Sequence, residues 1–223
     1  METIVRALFE RAKTGELTEG IALLEAWRRD HPAEDTITKV LEPLLMLVGT
    51  EWQKQCLSLA QSYVATRLVE SALTAVAAER AAGASALTRG VVVLGNVEDD
   101  FHGMGRGMVA SMLRAGHWEV VDLGNDVPAE EFVNAAVESG AKVIGVSAMM
   151  YTTSLNIVKV RRSLDERGLS GRIKLAVGGA VFRLRPDLVA EVGGDGTCLN
   201  ALGAPELFQR LFDAASRQEV GHA

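Results

Sequence analysis

Apolar residues in roughly the first eighty positions recur every three to four places, whereas beyond residue 85 they gather into short β-branched runs. The first pattern predicts helices over 3–13, 18–29, 36–48 and 59–82, with breaks at Gly15, His31-Pro32 and Gly49. Pro43 falls inside the third and should kink or split it, because proline lacks the N–H a helix needs. The second pattern predicts strands over 91–94, 119–123, 142–146 and 174–177, with a weak fifth near 196–198. Helices over 104–115, 128–139, 154–167, 186–192 and 205–215 alternate with them. Such alternation predicts a parallel sheet wrapped in helices. The expected architecture is therefore α/β in class, with a four-helix bundle over 1–85 and a doubly wound, Rossmann-like or flavodoxin-like sheet domain over 86–223.

Composition narrows the function classes. A net charge of −6 argues against general nucleic-acid binding, which needs clustered Lys and Arg to displace counterions. No apolar run reaches the roughly twenty residues of a membrane span. Met1-Glu2-Thr3 lacks the basic start of a signal peptide, so the expected location is the cytoplasm, with neither nucleic acid nor membrane as partner. Cys56 and Cys198 lie in different halves without Cys-x-x-Cys spacing, which predicts free thiols.

The candidate chemistry lies beyond the strands. Asp100-Phe101-His102-Gly103-Met104-Gly105 follows the run Gly90 to Gly95 and sets a histidine two residues after a carboxylate. An aspartate so placed can bond one imidazole nitrogen and leave the other for a metal. Ser147-Ala148-Met149 closes the third run and Gly178-Gly179 the fourth. In a doubly wound sheet all three features reach the carboxyl edge, where ligands bind.

Taken in that order, Asp-x-His-x-x-Gly, Ser-x-Met and Gly-Gly, the second half resembles the cobalamin-binding domain of methyltransferase corrinoid proteins. The family usually has Ser-x-Leu where this chain has Ser147-Ala148-Met149, a change that keeps the hydroxyl and a similar apolar volume. The N-terminal half matches the family's helical cap in size and order, and Gly49-Thr50-Glu51-Trp52 resembles its Gly-x-x-aromatic corner. Packing in the bundle core is the competing account of Trp52.

The resemblance implies a corrinoid protein that carries a methyl group on cobalamin between two partners. One is specific for a methyl donor, such as a methylamine, methanol or an aryl methyl ether. The other serves an acceptor, tetrahydrofolate or a thiol, and a reductive activator is a further implied partner. It also implies that His102 replaces the cofactor's own base as the lower axial cobalt ligand, supported by Asp100, with Ser147 bonding this relay or the buried nucleotide tail. Gly103, Met149 and Trp52 would also contact the cofactor, and Gly95, Gly105, Gly178 and Gly179 would clear a path for the tail. The cap should move as a unit about the segment 81–90. No residue set resembles an independent catalytic nucleophile.

The alternative is a cobalamin-dependent sensor or antirepressor of transcription, which shares the cap and cobalamin domains. Its light-sensing form, Trp-x9-Glu-His counted from Trp52, would need Glu and His where this chain has Ser62-Tyr63. A nicotinamide reading of Gly103-x-Gly105, with Asp122 as ribose acid, fails because Met108 occupies the third glycine position and the glycines lie beyond the tight turn. Met104, Met108 and Met112 recur along one helix face and read as core, while Arg161-Arg162 and Arg183 to Arg185 read as exposed charge.

Overall fold

The structure, a computed structural model, describes residues 2–82 and 88–220, and the chain divides into two compact units, Met1–Ala84 and Ser85–Ala223. Most of the expected connecting segment, residues 83–87, lies outside the described residues, as does His222.

The first unit is helical: α1 (Glu2–Thr14), α2 (Leu17–Arg28), the single turn α3 (Ala33–Asp35), α4 (Glu42–Gln53) and α5 (Leu59–Ala82). In α1 the buried residues Ile4, Val5, Leu8, Phe9 and Ala12 form one stripe, and α1 packs on α2, α4 and α5. Pro43 does split the third segment. A π-helical turn, Thr36–Leu41, precedes α4, and Pro43 sits in the first turn of α4, where its missing N–H costs least. Gly49 does not break the chain, since α4 continues to Gln53; a glycine inside a helix costs only about 1 kcal/mol. The turn comes later, at Gln55, whose φ is +58°, and α5 then starts on a capping box. Ser58 Oγ accepts from Gln61 N at 3.2 Å, and Gln61 Oε1 accepts from Ser58 N at 2.8 Å.

In the second unit β1 (Gly90–Asn96), α6 (Gly103–Ala115), β2 (Trp118–Asp122), α7 (Ala129–Ser139) and β3 (Val143–Ser147) follow in order. Then come α8 (Tyr151–Ser154), α9 (Ile157–Glu166), β4 (Lys174–Gly178), α10 (Ala180–Leu184), α11 (Leu188–Glu191) and α12 (Ala204–Val220). Among the described residues the sheet is four-stranded and parallel, in the order β2-β1-β3-β4. The period of two along each strand divides the core. Val93, Ile144, Val146, Leu175 and Val177 pack with Phe132, Ile157, Val160 and Leu164 on one face, while Val92, Leu94, Val143 and Ala176 pack with Leu113, Leu207, Phe208 and Leu211 on the other.

The expected fifth strand is reduced to one bridge between Ala176 and Gly196, where Val177 N donates to Gly196 O at 2.9 Å. Gly193, Gly194 and Gly196 deprive that segment of side chains a strand would pack. Register aligns Asn96 with Ser147, and Ser147 with Gly178, so the ends of β1, β3 and β4 form one edge. β1 and β3 are neighbours although β2 lies between them in sequence, which makes their carboxyl ends the topological switch point.

Candidate functional site

At that switch point the best-held polar group is Asp100, which has no exposed surface. Its Oδ1 accepts from Asn96 Nδ2 at 2.8 Å and His102 N at 2.9 Å; its Oδ2 accepts from Met149 N at 2.7 Å and Thr153 Oγ1 at 3.0 Å. The loop backbone is fixed as well, because Asp126 N donates to Asp100 O at 3.1 Å. Burial pushes the Asp100 carboxyl up, but the hydrogen bonds from Met149, His102, Asn96 and Thr153 outweigh it and hold the group below its ordinary value. Asp100 is thus a buried anion with a donor from each side.

His102 caps the amino end of α6, and its side chain is 51% exposed. Nδ1 lies 3.3 Å from Asp100 Oδ1. A carboxylate only accepts, so a neutral imidazole at this position carries its proton on Nδ1 and keeps a lone pair on Nε2. Among the described residues Nε2 has no hydrogen-bond partner. The ring is therefore oriented from behind and open in front.

The other expected residues divide. Met149 meets Asp100 through its backbone N–H, and its side chain is exposed. Ser147 stands half-buried at the end of β3, where its carbonyl accepts from Val97 N at 3.0 Å, but its hydroxyl makes no hydrogen bond to Asp100 among the described residues. Thr153, on α8, occupies that place instead. Sequence reading missed both Thr153 and Asn96. The signals were a hydroxyl run, Thr152-Thr153-Ser154, soon after the serine, and a polar residue ending a fully apolar strand.

The glycines do different jobs. A Cβ at Gly105 or Gly178 would meet nothing within 4 Å, so both border open space. At Gly103 it would come 2.7 Å from Asn125 Oδ1. At Gly95 it would lie 2.6 Å from the Phe132 ring, so Gly95 is a buried helix-on-sheet contact and not part of an open path. Gly179 has φ +117°, and a Cβ there would lie 2.0 Å from Ala148 O; its lack of a side chain serves the backbone crossing between β3 and β4.

Elsewhere the expectations are met unevenly. Trp52, near the end of α4, is 48% exposed, which is not the core position offered as its competing account. Met112 is buried, but Met104 at the other end of the same stripe is exposed. Arg161 is not free charge, since Nη2 meets Asp195 Oδ2 at 2.5 Å and Nε donates to Gly193 O at 2.8 Å.

Comparison with known proteins bears on what this edge holds. A model described as B12 binding domain matches residues 90–202, and a second of the same description matches residues 4–77. Dimethylamine corrinoid protein 3 of Methanosarcina acetivorans is 36% identical over 157 residues, covering 70% of this chain and 73% of the relative. This chain belongs to the B12-binding corrinoid protein family. A second relative of this corrinoid protein, trimethylamine corrinoid protein 1 of Methanosarcina mazei, is 41% identical over 106 residues, 48% of each chain. Among solved structures, the Methanosarcina barkeri monomethylamine corrinoid protein aligns with a TM-score of 0.78 at 26% identity, covering 94% of this chain and 99% of that one.

The cofactor of the family is cobalamin, and the residues present suit it. Among the described residues no group of three His, Cys, Asp or Glu could hold a bare ion. One imidazole is instead what a metal already held in a macrocycle requires. Phe101, Met149 and Met150, from the loops after β1 and β3, and Tyr151, which opens α8, are exposed apolar side chains that follow the carboxyl ends of β1 and β3, and they suit the rim of a large ring.

Proposed function

We propose that this corrinoid protein carries a methyl group between two methyltransferases, one specific for a methylated amine and one serving an acceptor such as a thiol or tetrahydrofolate. Corrinoid proteins work with methyltransferases, and the amine is suggested by relatives named for dimethylamine, trimethylamine and monomethylamine. The observation that carries the reading is Asp100, a buried carboxylate fixed by four donors with the His102 ring against it.

In this reading His102 Nε2 would bind the cofactor's metal, and the open space at Gly105 and Gly178 would hold its nucleotide tail. When bound, cobalamin supplies a cobalt centre that accepts a methyl group and gives it up. The chain's residues set the ligand that faces it. Asp100 keeps the His102 proton on Nδ1, so that the lone pair on Nε2 is available. Thr153 Oγ1 and Met149 N keep the carboxylate from turning away.

The test loads the protein with hydroxocobalamin, reduces it to Co(II), and records electron paramagnetic resonance with and without nitrogen-15 histidine. A coupling that changes with the label supports His102; one that does not removes it from the site. Methylation by a methylamine-specific methyltransferase then tests the donor, and failure with such partners together with regulator binding would favour the sensor.

A further inference from the structure

Arg106 follows the glycine-rich loop directly, in the first turn of α6, with a side chain only 14% exposed. Its Nη1 donates to Asn96 Oδ1 at 3.0 Å and to Asn125 Oδ1 at 2.6 Å, and its Nε lies 2.8 Å from Asp122 Oδ1. Asn96, with no exposed surface, passes this contact inward, since its Nδ2 donates to Asp100 Oδ1 at 2.8 Å.

A carboxamide is an acceptor at one end and a donor at the other, in nearly the same shape, so a buried asparagine can sit in either of two ways. Asn96 lies between a guanidinium, which only donates, and a carboxylate, which only accepts. One orientation satisfies both. The reverse sets oxygen against oxygen and N–H against N–H at a side chain that has no exposed surface. Arg106 thereby keeps the amide donor on Asp100 Oδ1, the oxygen that also receives His102 N and faces His102 Nδ1. Asp122 ends β2 and Asn125 follows it, so the guanidinium is itself held by a third loop of the carboxyl edge.

We propose that Arg106, acting through Asn96, is a positioning residue that sets the orientation of the His102 ring toward the cofactor. The proposal rests on His102 being the lower ligand. Lysine is not equivalent, because its ammonium is a point charge on a flexible stem and lacks the rigid planar group whose Nη1 holds the Asn96 and Asn125 oxygens together.

The experiment compares the wild type with Arg106→Gln, Arg106→Lys and Asn96→Leu, each loaded with hydroxocobalamin and reduced to Co(II). Electron paramagnetic resonance with nitrogen-15 histidine gives the ratio of histidine-ligated to histidine-free cobalt, read beside cobalamin affinity and the melting temperature. Both Arg106 variants should lower that ratio about five- to tenfold, the worth of roughly one hydrogen bond, while cobalamin affinity changes less. Asn96→Leu should lower it as much, and combining it with Arg106→Gln should lower it no further. A folded Arg106→Gln protein with the wild-type ratio overturns the proposal and leaves His102 in place, as does full additivity with Asn96→Leu. A wild type without histidine coupling overturns both. Should Arg106→Gln not fold, Asn125→Ala, which releases one side of the guanidinium, carries the same comparison, and an unchanged ratio there counts against the proposal.

Discussion

Asparagine at position 100 would keep the shape of the aspartate and turn one oxygen into an amino group, which makes Asp100→Asn a sharp test of the buried anion. Each carboxylate oxygen receives one backbone N–H, from His102 on one side and Met149 on the other, and neither can reverse. The new amino group must therefore oppose one of them. Thr153 can rotate its hydroxyl to accept, so the amino group turns to that side and faces Met149 N across what was a 2.7 Å contact. An opposed buried donor costs about 1–3 kcal/mol, and the remaining bonds lose roughly 1 kcal/mol each on passing from charged to neutral. Removing a buried charge returns part of this, leaving a net loss of about 2–4 kcal/mol. At roughly 2–4 °C per kcal/mol for a domain of this size, melting of the cofactor-free protein at pH 7 should fall by about 5–15 °C.

Acid supplies the second half of the test. The native Asp100 carboxyl lies below its ordinary value, so between the two values the unfolded chain binds more protons and stability falls as the pH is lowered. The stabilisation is complete above the ordinary aspartate value of about 3.9 and is lost as pH falls through the depressed native one. Calorimetry across pH should show wild type and variant farthest apart at neutrality and converging in acid. A neutral-pH difference under about 2 °C, or a constant difference at all pH, would refute the account of Asp100 as a stabilising anion.

The other predictions follow from the same contacts. Thr153→Val should cost about 1–2 kcal/mol in thermal unfolding, by leaving Asp100 Oδ2 with one donor fewer, and Thr153→Ser should restore it. Gly179→Ala should destabilise by roughly 2–4 kcal/mol, from its φ of +117° and the contact with Ala148 O, whereas Gly178→Ala should melt within about 2 °C of wild type. Gly178→Leu should remain folded yet bind cobalamin at least about tenfold more weakly in titration calorimetry, the mark of a side chain placed in the tail's space. Gly95→Ala should cost roughly 1–3 kcal/mol in chemical denaturation, by crowding Phe132, with unchanged cobalamin affinity in the folded protein.

The sequence made the alternation of elements legible because burial on both faces of a parallel sheet leaves continuous apolar runs, and those runs are how β1, β3 and β4 were found. It also made His102 and Asp100 legible, since both lie in one short loop. Thr153 was not, because it reaches Asp100 only through the pairing of β1 with β3, from 53 residues away, and Asn96, four residues before Asp100, was not, because its place at the end of an apolar strand does not show which group its amide meets. Gly95 was misread for a related reason, and the demand that Ala148 O makes on Gly179 went unseen: a glycine records that something comes close, and only the fold says whether it is a ring, a carbonyl or a ligand. The fifth strand failed because glycines removed the side chains that would have made it a strand.

The span between Asp100 and its donors on the far loop also governs when the site comes into being. Met149 and Thr153 lie 49 and 53 residues beyond Asp100, and β1 pairs with β3 across an intervening β2 and α7. Contacts of such long range form late in folding, after loop-closure entropy has been overcome. A newly made chain has His102 from the start, but as a free imidazole among solvated neighbours. In the proposed reading the ring becomes a directed ligand only once the sheet has closed, and a cofactor that binds the folded form alone would then stabilise it by mass action.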